Sequence, residues 1–383
     1  MFNQKLFSFF QVIAQALFSF VFLSSLMKSG NKIDYVDWSL SISIVSAVYS
    51  FNIFSGVFFN KFIASGKYNT SIIFLNLFGI LIISVLILMY GIYSDLKIYF
   101  YLAILFSSIM QICFSLCNIV DGLGKIIYRC GAQIIIFIFF SLILFFAQKL
   151  NASMVQIIYF AILCYSSIAI AGIFIITISK RWDLNFPNNN WSILISQNSY
   201  AIGGSVTQSW IEPLIKYNLL ALGGGHLIAL FDVSTRIAST IRTLIVSLNT
   251  PLITIWSKQY SQSVFNKELI INIILGTMLN IIYLYTSSII FLVFFGIEKQ
   301  NIFFTSMIIC TYFLITLQNL PNISNIALNR LNRNFYATLI VLISVAVGHF
   351  FVTTAEDYIW TYLIGYSLST VYLFYMPKNI KSI

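Results

Sequence analysis

Residues 210–251 read WIEPLIKYNLLALGGGHLIALFDVSTRIASTIRTLIVSLNTP. Two apolar segments of membrane length flank a Gly-Gly-Gly-His turn, and they contain Glu212, Lys216, Asp232, Arg236 and Arg242. Elsewhere the long apolar runs keep their Lys, Arg, Asp and Glu at their ends. A charge at mid-bilayer costs roughly 2.5–3.5 kcal/mol on insertion scales. Five of them in adjacent segments are either paired and structural or placed to handle something charged.

The rest of the chain explains why a membrane is the right solvent to assume. Hydrophobic residues make up 59% of the 383 and charged residues only 8%, and the mean hydropathy is +0.92. Soluble domains carry about 25% charged residues. The expected fold is therefore an all-α polytopic membrane protein. Apolar runs predict helices near 3–27, 38–60, 70–93, 98–120, 130–148, 153–179, 191–222, 227–256, 268–295, 301–328, 335–353 and 357–376. At about 20 residues per span, these twelve leave no room for a sizeable soluble domain. The longest connection, 180–190 (KRWDLNFPNNN), divides the chain into an N-terminal six-helix bundle, 1–179, a cytoplasmic linker, 180–190, and a C-terminal six-helix bundle, 191–383.

Charge in the connections sets the orientation. With the N-terminus cytoplasmic, that side collects 13 of the 21 Lys and Arg, the opposite side five and the spans three. This follows the positive-inside rule with both termini in the cytoplasm. The net charge of +10 is spread singly and in pairs over segment ends, which is a topology signal and not a nucleic-acid footprint. The first 27 residues hold one basic residue, Lys5, and an over-long apolar run, and read as a retained first helix. An even helix count per half predicts parallel repeats about an axis along the membrane normal.

Catalytic patterns are missing. The two histidines, His226 and His349, have no Cys or carboxylate at ligand spacing, and GGGH at 223–226 follows no strand. The five cysteines form no CxxC and read as small apolar side chains. The chain is expected to be neither an enzyme nor a metal or cofactor protein, although a membrane carboxylate could bind H⁺ or Na⁺. A third candidate class, a glycan polymerase or similar non-transport protein, is disfavoured by outer loops too short to build a site.

In the first helix Gln4, Ser8, Gln11, Gln15 and Ser19 recur along one face. That stripe lines a cavity, where Gln11 and Gln15 could meet substrate, or packs on another helix; both readings stand. Asn118, and Gln318, Asn319, Asn322 and Asn325 in the tenth helix, are similar. The first half holds no ionisable residue well inside a span.

With the apex of the charged hairpin at Gly224, Glu212 and Arg236 lie at matched depth, as do Lys216 and Asp232. Glu212–Lys216 and Asp232–Arg236 are also i,i+4 neighbours. The four can close a neutral quartet, which serves equally as structural glue or as an ion switch. Pro213 and the Gly203-Gly204 pair make the seventh helix the best candidate for bending. Arg242 has no partner at its level. It is expected about 9 Å further toward the cytoplasm than Arg236, either snorkelling to the headgroups or contacting an anion such as a lipid phosphate.

The hairpin, its acidic residue in helix seven, its Gly-rich turn and its acidic–Arg pair before Asn-Thr-Pro, together with ALNRLNRNFYAT after helix ten, resembles the polysaccharide-transporter branch of the multidrug/oligosaccharidyl-lipid/polysaccharide flippase superfamily. More narrowly it is similar to the Wzx-type O-antigen flippases. The resemblance implies a MATE-like fold of two six-helix bundles in a V around a central cavity. It implies flipping of an undecaprenyl-diphosphate-linked oligosaccharide, an O-antigen or capsule repeat unit, across a bacterial inner membrane by alternating access. Arg242, Arg236 and Lys216 would meet the diphosphate and sugars, and Glu212 or Asp232 would couple an ion. Membrane lipids and other glycan-assembly membrane proteins are candidate partners. The alternative is an ion-coupled multidrug or cation antiporter of the same superfamily. Two acids against three bases within the membrane favour the flippase, although the neutral first half departs from a cavity cationic on both sides.

Overall fold

The computed structural model describes residues 2–30, 32–52, 71–179, 191–249, 252, 256, 260–295, 302–328 and 330–375. Among these residues the chain is helical and carries no strand. The helices are α1 (Phe2–Ser29), α2 (Lys32–Tyr49), α3 (Ser71–Tyr93), α4 (Ile98–Gly122), α5 (Ile126–Lys149), α6 (Met154–Ile178), α7 (Trp191–Gly223), α8 (Gly225–Asn249), α9 (Gln262–Phe295), α10 (Ile302–Leu317), α11 (Asn319–Ala327), α12 (Leu331–Phe351) and α13 (Ala355–Tyr375). Helices α10 and α11 are one span interrupted at Gln318, where the sequence predicts an unbroken helix. Pro321 supplies the cause, because it has no N–H to return to the carbonyl of Leu317. The second helix ends at Tyr49, short of the expected 60, with residues 50–52 outside it; the expected linker 180–190 and residues 53–70 lie outside the described residues.

Eight of these segments are apolar and long enough to cross a membrane by themselves: parts of α1, α3, α4, α5, α6, α9, the α10–α11 pair and α12. The chain is a multi-pass membrane protein. Helices α2, α7, α8 and α13 fall outside that set.

Short connections explain how so many antiparallel neighbours form. Gly224 at φ +77° and Gly124 at φ +73° take the left-handed conformation that ends a helix and turns the chain. Asp95 and Asn151 do the same with side chains that tolerate it. The start of α6 carries a capping box: Gln156 N donates to Ser153 Oγ at 3.4 Å while Ser153 N donates to Gln156 Oε1 at 2.9 Å. Helix α2 begins six residues before the predicted 38, with Asp34 in its first turn, where a carboxylate suits the helix N-terminus.

The chain divides into two compact units. One comprises residues 1–202 with 294–296, and the other residues 203–293 with 297–383. The division falls within α7.

In the first unit α1 packs on α5 and α6, and α4 packs on α2 and α6. Its centre is an aromatic cluster in which Tyr165 meets Phe18, Phe106, Phe114 and Phe137 at centroid distances of 5.5–6.4 Å. A buried amide chain ties residue 52 to α3 and α4: Asn52 Nδ2 donates to Asn76 Oδ1 at 2.6 Å, and Asn76 Nδ2 donates to Ser115 Oγ. In the second unit α8 packs on α10, α10 on α13, and α12 on α13.

Candidate functional site

Lys216 is the centre of the charged site. Its Nζ lies 2.7 Å from Asp232 Oδ1 on α8 and 2.8 Å from Glu212 Oε1 one turn earlier on α7. The lysine side chain is 4% exposed and Asp232 11%, whereas Glu212 is 55% exposed. Two of the predicted pairings therefore form, Lys216 with Asp232 across the helices and Lys216 with Glu212 along α7. The predicted quartet is a triad. Among the described residues no ion pair joins Arg236 to either carboxylate, and Arg236 is exposed. The reason is reach: a single buried ammonium with three donors satisfies both carboxylates, leaving Arg236 free to turn outward one turn beyond Asp232. Two carboxylates around one lysine leave the triad with one net negative charge when all are ionised.

Arg242 is half-buried on α8. It lies seven residues before Asn249, about 10 Å inside α8. Its Nε is buried with no hydrogen-bond partner among the described residues. Around it stand tyrosines that the sequence reading did not single out. Tyr312, Tyr362 and Tyr366 all lie within electrostatic reach of Arg242, and Tyr312 is also within reach of Glu212 and Arg236. Tyr362 and Tyr366 are buried, one turn apart on α13, with ring centroids 5.1 Å apart. Gln208 Nε2 on α7 donates to Tyr366 OH at 2.9 Å, and Gln318 Nε2 donates to Tyr366 O at 3.1 Å and Thr370 Oγ1 at 2.9 Å. The signal for these tyrosines is an i,i+4 pair of hydroxyl-bearing rings on an otherwise apolar span, too common a pattern to stand out before its neighbours are known.

The expected hinge residues sit on the same helix. Pro213 lies within an α7 that runs from Trp191 to Gly223. A Cβ on Gly203 would meet the ring of Phe335 at 2.9 Å, and one on Gly204 would approach the Phe335 backbone no closer than 3.7 Å. Gly203 therefore allows close approach of α12.

Two further networks escape a reading by spacing alone. His349, expected as a packing residue, shares a hydrogen bond between its Nδ1 and Asn218 Oδ1. Asn218 Nδ2 donates to Tyr358 OH at 2.6 Å, and Tyr358 OH donates to the Val345 carbonyl at 3.1 Å, so α7, α12 and α13 are tied together. In the first unit Arg129 Nε lies 2.5 Å from Asp121 Oδ1, Arg129 Nη1 donates to Gln133 Oε1 at 2.5 Å, and Gln133 Nε2 donates to Cys117 Sγ at 3.1 Å. Asp121 and Arg129, expected in a loop between spans, belong to α4 and α5, and their side chains are 26% and 14% exposed. Both sit at helix ends, Asp121 next to last in α4 and Arg129 in the first turn of α5, and both are half-buried.

Gln11 and Gln15 also lie in the first unit, where Gln11 Nε2 donates to Gln15 Oε1 at 3.0 Å. On the same face Ser8 Oγ is 3.8 Å from Cys130 Sγ of α5, so this part of the polar stripe packs on a helix. Cys113, Cys117, Cys130 and Cys164 are free and buried as expected, and Cys310 is free and exposed. Among the described residues no cluster of His, Cys, Asp and Glu could hold a metal ion.

No family model matches the chain, and no curated protein matches it. Solved structures do. An inward-facing multidrug resistance MATE family transporter of the MOP superfamily aligns at TM-score 0.70 and 12% identity, covering 94% of this chain and 93% of the other. A MOP superfamily transporter from Pyrococcus furiosus, whose binding pocket is described as having reverse polarity suggestive of a different function, aligns at TM-score 0.70 and 12% identity over 97% and 93%. The MATE transporter ClbM in complex with Rb⁺ aligns at TM-score 0.68 and 11% identity over 99% and 94%. The chain has the MATE transporter fold over nearly its whole length.

Proposed function

We propose that this chain is a flippase that carries an undecaprenyl-diphosphate-linked oligosaccharide from the inner to the outer leaflet of a bacterial inner membrane by alternating access. The fold supports transport, since the MATE fold is built to move a ligand without covalent chemistry. The observation that carries the anionic substrate is Arg242, a guanidinium with a buried unpartnered Nε among tyrosine hydroxyls. A guanidinium binds a phosphate bidentately, and the phenols offer hydrogen bonds to phosphate oxygens or sugar hydroxyls. Arg236, exposed on the same helix, adds a second positive charge, whereas Lys216 is committed to its two carboxylates.

In this reading Arg242 and Arg236 meet the diphosphate, and H⁺ or Na⁺ coupling falls on Glu212 and Asp232. Glu212 is the accessible one, and its protonation would leave the Lys216–Asp232 pair neutral. Other glycan-assembly membrane proteins would supply and consume the lipid-linked substrate.

The test is Arg242→Ala in the native host. Surface glycan assembly is expected to fall while protein abundance stays normal, and Arg242→Lys is expected to restore it only in part because lysine cannot form the fork. Unchanged glycan in Arg242→Ala would remove the substrate role. The second reading, a cation antiporter, draws on the exposed Glu212 carboxylate. It predicts that loss of the chain raises susceptibility to cationic drugs and leaves surface glycan intact.

A further inference from the structure

With Lys216, Asp232 and Glu212 all ionised, the triad carries one net negative charge. A proton or a monovalent metal ion would neutralise it equally well. Charge therefore does not choose between them, and the choice falls to geometry.

A metal ion needs several oxygens converging on one point. Two carboxylates do converge here, but the point is taken. Lys216 Nζ lies 2.7 Å from Asp232 Oδ1 and 2.8 Å from Glu212 Oε1, and the lysine side chain is 4% exposed. This ammonium is tethered to α7, so an external ion competes with a cation held at high effective concentration. A metal ion set elsewhere on either carboxylate meets the ammonium charge at short range. Among the described residues no third His, Cys, Asp or Glu joins the two carboxylates to make a metal-holding group.

A proton needs no such shell. It takes a single carboxylate oxygen, and Glu212, 55% exposed, is the carboxylate open to it; Asp232 is 11% exposed. Around Glu212 stand Lys216 on its own helix, Asp232 of α8 through the lysine, Tyr312 of α10 and Tyr362 of α13. Arg236 and Arg242 of α8 lie within electrostatic reach of the same Tyr312. Protonation of Glu212 ends its ion pair and leaves Lys216 with Asp232, so the tie between α7 and α8 holds. What is released is the bridge along α7 from residue 212 to residue 216. That bridge spans Pro213, where the helix lacks a backbone donor.

We infer that the triad is a proton site from which Lys216 excludes metal cations, so that H⁺ and not Na⁺ or K⁺ is the coupling ion. Its use in transport rests on the coupling role proposed above for Glu212 and Asp232. The ion preference of the site is independent of the substrate carried.

Infrared difference spectroscopy of the purified full-length protein follows Glu212 directly. As pH is lowered, the C=O band of a protonated carboxyl is expected in wild type and lost in Glu212→Gln. Its midpoint should be the same in NaCl, KCl and N-methyl-D-glucamine chloride at equal ionic strength. A midpoint that moves to lower pH with Na⁺ or K⁺ would show a metal ion competing for the carboxylate and overturn the inference. Absence of the Glu212 band would overturn it too. Thermal melting then tests the lysine. Lys216→Gln is expected to gain a saturable Tm rise of a few degrees with Na⁺ or K⁺ that wild type lacks. Such a rise in wild type, or none in a folded Lys216→Gln, would overturn the exclusion. The infrared measurement decides alone should Lys216→Gln fail to fold. Neither measurement uses the transported lipid. A chain that passes both and leaves the lipid in place loses the flippase reading and keeps the proton site, and the converse result does the reverse.

Discussion

Lys216 and Asp232 join α7 to α8 through a 2.7 Å ion pair in which the lysine is almost wholly buried. Glu212 holds the same ammonium from the exposed side at 2.8 Å. The asymmetry matters because burial decides how much each partner depends on the others. Removing one member of a buried pair leaves a desolvated charge, which costs about 3–5 kcal/mol.

Lys216→Met is therefore expected to destabilise the chain by about that amount, because it leaves Asp232 unpaired. Lys216→Met combined with Asp232→Leu should recover most of the loss, since the pair is then replaced by hydrocarbon. Thermal or denaturant unfolding of the single and double variants measures the coupling. Additive effects would show that the pair does not form.

Glu212→Gln is expected to change stability little, by about 1 kcal/mol or less, because an exposed ion pair contributes little. Its effect should fall on transport. If coupling runs through Glu212, the variant loses the pH or Na⁺ dependence of transport while it still folds. Unaltered dependence would move coupling elsewhere.

Two glycines separate packing from bending. A Cβ on Gly365 would lie 3.0 Å from Ser344 Cβ and 3.2 Å from the Val341 Cα, so α12 and α13 would have to part. Gly365→Ala should lower stability by about 1–3 kcal/mol. Gly204→Ala has its nearest neighbour at 3.7 Å and should be neutral or stabilising by up to about 1 kcal/mol, given the helix preference of alanine. A transport defect in a stable Gly204→Ala protein would identify that glycine as a hinge.

Outside the spans, Lys97 Nζ lies 2.5 Å from Asp37 Oδ2 and ties the turn before α4 to α2. The hydrogen bond to Asp37 raises the lysine pKa above its ordinary 10.5. A raised folded-state pKa gives stability that is fully present below the unfolded value and lost as pH rises through the folded one. The melting difference between wild type and Lys97→Met should therefore be small, constant through neutral pH, and lost as pH rises above the ordinary lysine range; a difference that persists there would show that the pair does not contribute.

The helical architecture was legible because a bilayer imposes runs of about 20 apolar residues, and the expected segments coincide with the observed helices to within a few residues at most ends. The tenth span was read correctly in extent, but hydropathy is blind to Pro321 and to the break at Gln318. Depth matching found Lys216–Asp232 correctly because it depends only on rise per residue. It overestimated Arg236, since matched depth does not say which of several partners a short list of donors will satisfy. Tyr312, Tyr362 and Tyr366 were invisible because their relation to Arg242 joins α8, α10 and α13, which no spacing along one helix encodes. Asp121 and Arg129 were assigned to a loop because charges at segment ends usually are.

The most direct test of the transport assignment is a leaflet-translocation assay in proteoliposomes with a fluorescent undecaprenyl-diphosphate-linked oligosaccharide. The account predicts translocation by the wild-type chain, reduced about tenfold or more in Arg242→Ala for the loss of a charged hydrogen-bonding group. A wild-type chain that leaves this lipid in place while exporting an organic cation would contradict it.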